Sequence, residues 1–133
     1  MDKIKQLFLL ALSTLTLYSA AAAYEKTVFA EWDKPSINVF YVLPQEVNDQ
    51  TEILFIIHGN SRNADGYIEV WANYAKDKNI ILIAPEFSRS KFSNYNTLQM
   101  SSSTGKILKN RDLYLNNSID IMFNHYKNLF GVK

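Results

Sequence analysis

The distribution of apolar and polar residues first indicates a pair of strands, at residues 27–32 and 37–43. Both segments are rich in β-branched and aromatic residues, which favour extended structure. The polar residues 33–36 between them contain Pro35, whose fixed φ angle suits a turn, and short side chains that bond locally. The pattern therefore predicts a β-hairpin.

Residues 53–57 and 80–84 differ from the hairpin because they are apolar without alternation. Such runs are typical of strands that are covered on both faces of a parallel sheet. Between them, apolar residues recur at helical spacing, at Ala64, Tyr67, Ile68, Trp71 and Ala75. Strand, helix and strand with short links predict a βαβ unit with a right-handed crossover. Pro85 is expected to end its second strand.

A second amphipathic helix is predicted close to residue 130. Its apolar face comprises Ile119, Met122, Phe123, Tyr126, Leu129 and Phe130. Asp112 is a suitable N-cap for this helix, and Gly131 stands where a left-handed C-cap belongs.

Residues 86–111, between the βαβ unit and this helix, are polar and form a long connection, so we expect them to be functional or mobile. The segment contains three aromatic residues, Phe87, Phe92 and Tyr95. These either line a pocket for an acyl or aryl group or pack within the loop. The large aromatic residues of the helices are expected to face the core instead: Trp71, Tyr74 and Tyr126.

The first 23 residues have the pattern of a secretory signal peptide. Lys3 and Lys5 precede an apolar stretch at residues 7–17, and four alanines at residues 20–23 follow it. This order predicts cleavage after Ala23 and export to the periplasm or out of the cell. An apolar core of about 11 residues is too short for a stable membrane anchor, which needs about 20.

Charge and composition exclude several classes of protein. Removing Lys3, Lys5 and Asp2 from 14 basic and 13 acidic residues leaves twelve of each in residues 24–133, so no basic stripe recruits nucleic acid. The lack of cysteine in the sequence excludes disulfides and thiolate metal ligands. With two histidines and no partner ligands at metal spacing, we expect no metal site and no cofactor.

The order of the elements and three short motifs resemble the N-terminal half of the α/β-hydrolase family. The motifs are Ile56-Ile57-His58-Gly59-Asn60, Asp65-Gly66-Tyr67 with Trp71, and Ile83-Ala84-Pro85-Glu86-Phe87. The chain is most similar to secreted esterases of the polyhydroxyalkanoate-depolymerase and feruloyl-esterase type. The resemblance covers roughly residues 27–130. It implies an α/β fold that is the N-terminal half of an α/β-hydrolase sheet, with a β-hairpin, a βαβ unit and a helix.

The resemblance also implies that the loop of His58, Gly59, Asn60 and Ser61 forms part of an oxyanion hole. Ester hydrolysis by a serine passes through a tetrahedral oxyanion, which preorganised N–H groups stabilise. In this family one such group comes from the loop after the third strand. The backbone N–H of Asn60 is the first candidate and that of Ser61 the second. Gly59 lets the backbone approach closely, and His58 would brace the loop by a hydrogen bond.

The family's G-x-S-x-G nucleophile motif does not occur in the 133 residues, and neither do the acid and histidine that follow it. His125 lies in a predicted helix and is expected to be partly exposed and not catalytic. We therefore expect a partial hydrolase domain, residues 24–133, that stops before the nucleophile and is inactive by itself. Its full-length relatives would act on carboxylic esters.

The alternative is a small exported binding or interaction protein that reuses the half-fold without catalysis. In either case residues 53–57 would form an open edge of the sheet. An exposed apolar edge is a template for pairing with another chain. Self-association through this edge is therefore a further expectation.

Overall fold

The computed structural model describes residues 23–102, 104–109 and 115–133. They form a four-stranded sheet with the strand order β1-β2-β4-β3 and two main helices. The strands are β1 (Glu25–Phe29), β2 (Ile37–Val42), β3 (Glu52–Phe55) and β4 (Ile80–Glu86). The helices are α1 (Ala64–Asp77) and α2 (Leu115–Phe130), and Tyr95–Thr97 form a single 3₁₀ turn.

The predicted hairpin and the predicted βαβ unit are both present. β1 pairs antiparallel with β2, with Phe29 opposite Ile37 beside the turn. β3 pairs parallel with β4, and α1 connects the two strands. β2 pairs antiparallel with β4. The hairpin and the βαβ unit therefore join in one mixed α/β sheet, as the sequence predicts.

The two faces of the sheet are covered by different helices. α2 covers one face over a core formed by Phe29, Ile37, Val39, Ile81, Ile83, Phe87, Phe92, Leu115, Met122 and Tyr126. α1 covers the other over Phe40, Val42, Ala64, Ile68, Ala72, Ala75, Leu82 and Ala84. Successive residues of β4 enter opposite cores because side chains alternate along a strand. This is why β4 is apolar without alternation.

β3 lies at an edge of the sheet and is only half-buried. The prediction that residues 53–57 are covered on both faces is therefore wrong, since Leu54 is 40% and Ile57 42% exposed. The strand also ends at Phe55, two residues earlier than predicted. The prediction of an open edge here agrees with the observed strand order.

Pro85 does not end its strand, contrary to the prediction. It lies within β4 opposite Val39 of β2. The carbonyl of Ile83 accepts from the N–H of Ile56 at 2.8 Å, so the main-chain groups of Ile83, and of Pro85 two residues on, point toward the β3 side. β3 ends at Phe55, so no ladder bond requires an N–H at Pro85.

The surface of α1 that contacts the sheet consists mainly of small residues. Its buried residues are Ala64, Ile68, Ala72 and Ala75. Trp71 and Tyr74 were expected in the core but are 44% and 49% exposed, so the prediction is wrong for both. The alanines allow α1 to lie close to β2 and β4. Trp71 and Tyr74 lie at the side of this buried surface and not within it. Tyr126 in α2 is buried, as predicted.

The C-terminal end of α2 agrees with its sequence signal. Gly131 has a φ angle of +69°, which suits a residue without a side chain. The N–H of Val132 donates to the carbonyl of Lys127 at 3.0 Å, which closes the last turn. The proposed N-cap Asp112 and the predicted signal peptide lie outside the described residues, apart from Ala23. No helix in the described parts of the chain is long and apolar enough to cross a membrane.

Candidate functional site

Residues 58–61, which the sequence analysis assigned to an oxyanion hole, lie in a mostly exposed loop shortly after β3. Ile57 leads into the loop, His58 is buried, and Gly59, Asn60 and Ser61 are exposed. The N–H of Arg62 donates to the carbonyl of Gly59 at 3.2 Å and closes a tight turn before α1. The loop therefore lies at the carboxyl end of a parallel strand, the position where open α/β sheets bind ligands.

His58 connects this loop to the segment that follows β4. The N–H of Phe87 donates to His58 Nε2 at 2.9 Å, so the proton of the neutral ring is on Nδ1. Nδ1 then donates to the carbonyl of Gly59, also at 2.9 Å. Burial lowers the pKa of His58, and the positive charge of Arg62 lowers it further. The bracing hydrogen bond predicted for His58 is present, and the ring is held as a neutral structural element.

In the loop of residues 58–61, three carbonyl groups accept hydrogen bonds, whereas three N–H groups have no acceptor among the described residues. The hydroxyl of Tyr95 donates to the carbonyl of His58 at 2.7 Å, and Arg89 Nη2 donates to the carbonyl of Asn60 at 2.7 Å. Within the described residues, the N–H groups of Gly59, Asn60 and Ser61 donate to no acceptor. Successive backbone N–H groups bind anions where a turn aims them at one point.

Arg62 is the main site residue that the sequence analysis missed. Its backbone has a φ angle of +62°, and its side chain is almost fully buried. Nη1 donates to the carbonyls of Phe87 and Phe92, the latter at 3.1 Å. The guanidinium lies 4.5 Å from the centre of the Tyr95 ring, a cation–π contact. Arg62 therefore ties the loop to residues 87–95.

The electrostatics of Arg62 are unusual for a buried cation. Burial lowers its pKa, and the nearby charge of Arg89 lowers it further. Within the described residues, its buried Nε has no hydrogen-bond partner. The carbonyl dipoles and the face of Tyr95 take the place of a carboxylate. In the sequence, Arg62 is one of several polar residues in a polar loop. No motif indicates that its side chain bonds to the carbonyls of Phe87 and Phe92.

The three aromatic residues of the long connection have two different environments. Phe87 stacks on Tyr95 with ring centres 4.9 Å apart and meets Phe92 edge-on at 5.4 Å. A cavity of about 230 Å³ is lined by Ile57, Phe87, Tyr95, Asn96, Leu98, Leu115, Ser118 and Ile119. Phe87 and Tyr95 thus line a mainly apolar cavity beside the loop. Phe92 does not line it and belongs to the core.

Two solved structures resemble this arrangement. Poly(aspartic acid) hydrolase-1 from Sphingomonas sp. KT-1 matches with a TM-score of 0.70 and 31% sequence identity, over 83% of this chain and 42% of its own. The poly(3-hydroxybutyrate) depolymerase from Bordetella parapertussis matches with a TM-score of 0.65 and 15% identity, over 84% of this chain and 40% of its own. Both are of the α/β-hydrolase type. The chain adopts part of an α/β-hydrolase fold.

The chain spans about two fifths of the length of these two α/β-hydrolases. This is consistent with the half-fold expected from the sequence. No family model matches the chain, and no curated protein does. The role of residues 58–61 in an oxyanion hole stays a prediction.

The described residues contain no group of three or more acidic, histidine or cysteine side chains that could hold a metal ion. His125 is half-buried in α2, where its ring meets Phe29 edge-on at 5.3 Å and Tyr126 at 4.9 Å. It packs on the core as a structural residue.

Proposed function

We propose that this chain supplies the oxyanion-binding half of a serine hydrolase site. The observation that supports the proposal is the loop of residues 58–61. Its first three carbonyls accept hydrogen bonds, whereas the N–H groups of residues 59–61 have no acceptor among the described residues. An oxyanion needs donors that are already aimed before the charge develops. The contacts of His58, Arg62, Arg89 and Tyr95 hold the loop in such a state.

The charges around the loop favour the same role. Arg62 and Arg89 place positive charge beside the free N–H groups, and neither forms an ion pair with an acidic side chain among the described residues. His58 does not add a proton-transfer group, since its ring is neutral and both nitrogens are engaged. The loop therefore binds negative charge by its backbone, and the nucleophile must come from another segment.

The substrate we propose is a carboxylic ester or amide, with its acyl group in the cavity beside Phe87 and Tyr95. The two similar structures are named for polymers, one joined by ester links and one by amide links. Both linkages form a tetrahedral oxyanion when a nucleophile attacks. The cavity has a volume of about 230 Å³ and a mainly apolar lining, which suits an acyl group.

We further propose that the 133-residue chain does not turn over esters by itself, because it holds no G-x-S-x-G motif. Purified chain should hydrolyse p-nitrophenyl acetate and butyrate no faster than buffer. Turnover that a substitution within residues 24–133 abolishes would contradict this.

We also propose that residues 1–23 are a signal peptide that is removed on export. Mass spectrometry of the exported product should find Tyr24 as its first residue.

The oxyanion role is best tested in a complete enzyme. Residues 53–87 would replace the corresponding segment of the Sphingomonas hydrolase, and the chimera would be assayed on poly(aspartic acid). Asn60→Pro removes one backbone N–H, and the loss of an oxyanion donor lowers kcat by about 10²- to 10³-fold. Asn60→Ala keeps the N–H and serves as the control.

Ser61→Pro with Ser61→Ala tests the second candidate donor in the same way. KM should change little, because the interaction is made in the transition state. An active chimera in which both proline variants match their alanine controls would refute the oxyanion role of this loop.

A further inference from the structure

Arg89 makes one hydrogen bond among the described residues, and that bond is to the loop. Its side chain is exposed, and Nη2 donates to the carbonyl of Asn60 at 2.7 Å, a distance typical of a hydrogen bond from a cation. Burial lowers the pKa of Arg62, and the charge of Arg89 lowers it further. The fold therefore keeps two like charges near each other at the loop, and local conflicts of this kind are typical of functional sites.

Two neighbouring peptide groups of the loop are held unequally. The carbonyl of Gly59 accepts two hydrogen bonds, from His58 Nδ1 at 2.9 Å and from the N–H of Arg62 at 3.2 Å. Among the described residues, the carbonyl of Asn60 accepts from Arg89 alone. The orientation of the peptide group after Asn60 therefore depends on one exposed side chain.

A carbonyl and the N–H of the following residue belong to one planar group. In a trans peptide, as here, they point to opposite sides of the chain. Holding the Asn60 carbonyl toward Arg89 therefore aims the Ser61 N–H away from it. A cation on the carbonyl also polarises the peptide group, and coupling of this kind strengthens the next hydrogen bond by about 10–30%. Arg89 thus affects both the direction and the strength of the Ser61 N–H as a donor.

We propose that Arg89 is a positioning residue for the second candidate donor of the loop, the N–H of Ser61. It acts through the Asn60 carbonyl. The Asn60 N–H belongs to the peptide group that is held twice, so it does not depend on Arg89. This proposal rests on the proposed oxyanion role of the loop.

Kinetics in a complete enzyme test the assignment. Residues 53–95 would replace the corresponding segment of the Sphingomonas hydrolase, so that the chimera contains both the loop and Arg89. On poly(aspartic acid), Arg89→Met should lower kcat by about 2- to 10-fold, less than the loss of a whole donor, and leave KM unchanged. Arg89→Lys keeps a cationic donor and should recover part of the loss. Lys91→Met is the matched control, because Lys91 is a cation of the same segment that binds Ser36 instead of the loop; its kcat should equal that of the chimera.

A double-mutant cycle distinguishes the two donors. After Ser61→Pro has removed one N–H, Arg89→Met should cost nothing further, whereas after Asn60→Pro it should cost its full factor. An equal further loss in both backgrounds would overturn the proposal, and so would an unchanged kcat in Arg89→Met. A rise in KM with unchanged kcat would also overturn it, because Arg89 would then bind the anionic polymer directly.

Nuclear magnetic resonance of the 133-residue chain tests the same contact without catalysis. Arg89→Met should move the resonances of the Asn60 carbonyl carbon and the Ser61 amide nitrogen, and leave those of the Gly59 carbonyl carbon and the Asn60 amide nitrogen in place. Unchanged resonances in a folded Arg89→Met variant would overturn the positioning role, whatever the activity of the chimera. Moved resonances, together with proline variants that match their alanine controls, would refute the oxyanion role alone and support the hold of Arg89 on the loop.

Discussion

Replacing Arg62 by methionine tests whether its buried guanidinium holds the loop. Methionine keeps an unbranched side chain that can pack on Tyr95, and it leaves the strain of the +62° φ angle unchanged. The substitution removes the donors to the carbonyls of Phe87 and Phe92, and the Phe92 carbonyl still accepts from the N–H of Tyr95 at 3.1 Å. A buried carbonyl without a partner costs about 1–3 kcal/mol, and the lost cation–π contact costs about 0.5–2 kcal/mol.

Two terms oppose this loss. The variant no longer buries a cation, which costs several kcal/mol, and no longer leaves the Nε of Arg62 unpaired. These gains partly cancel a gross loss of about 1.5–5 kcal/mol, so we expect a net loss of about 1–2 kcal/mol in the free energy of unfolding. For a domain of this size that lowers the melting temperature by roughly 5 °C.

Urea unfolding followed by circular dichroism measures this difference. Arg89→Met is the matched control, because Arg89 is exposed and makes a single hydrogen bond to the loop. Its cost should be within about 0.5 kcal/mol. If the folded Arg62→Met variant is as stable as the unmodified chain, the guanidinium does not hold the loop. An equal loss of stability in Arg89→Met would refute the reasoning as well.

Two further predictions concern pH. Burial lowers the pKa of His58 in the folded protein below 6.5. Its contribution to stability should therefore be full above about pH 6.5 and fall as the pH drops toward and through that lower pKa. In urea unfolding at several pH values, His58→Gln should lose less stability in acid than the unmodified chain, and an equal loss would contradict this. Burial raises the pKa of Tyr126 from 10.0 to about 12, so stability should be full below pH 10 and decline as the pH rises toward 12. Tyr126→Phe should lack that decline when both proteins are titrated in parallel.

The elements that local pattern specifies were predictable from the sequence. β4 is buried on both faces by α1 and α2, and its unbroken apolar run reflects this. The hairpin has its own turn, and Gly131 has the left-handed conformation that its position at the end of α2 indicates. These features depend on neighbouring residues, so periodicity and turn chemistry are sufficient to find them.

Features that depend on distant contacts were not predictable. β3 has an apolar run similar to that of β4, but its exposure depends on its place at the sheet edge. Pro85 continues its strand because β3 ends before reaching it. At the site, the positions of His58 and its neighbours follow from the loop motif. Arg62 does not, because its partners are 25 and 30 residues away.

α1 allows the clearest test of how far periodicity predicts burial, because Ile68 and Trp71 both belong to its predicted apolar face. In the structure Ile68 is fully buried and Trp71 is 44% exposed. Ile68→Ala should therefore lower the free energy of unfolding by about 2–4 kcal/mol, as a core truncation does. Trp71→Ala should cost less than about 1 kcal/mol, although it removes the larger side chain, because burial rather than size decides the loss. Equal losses in urea unfolding would mean that another part of the protein covers Trp71.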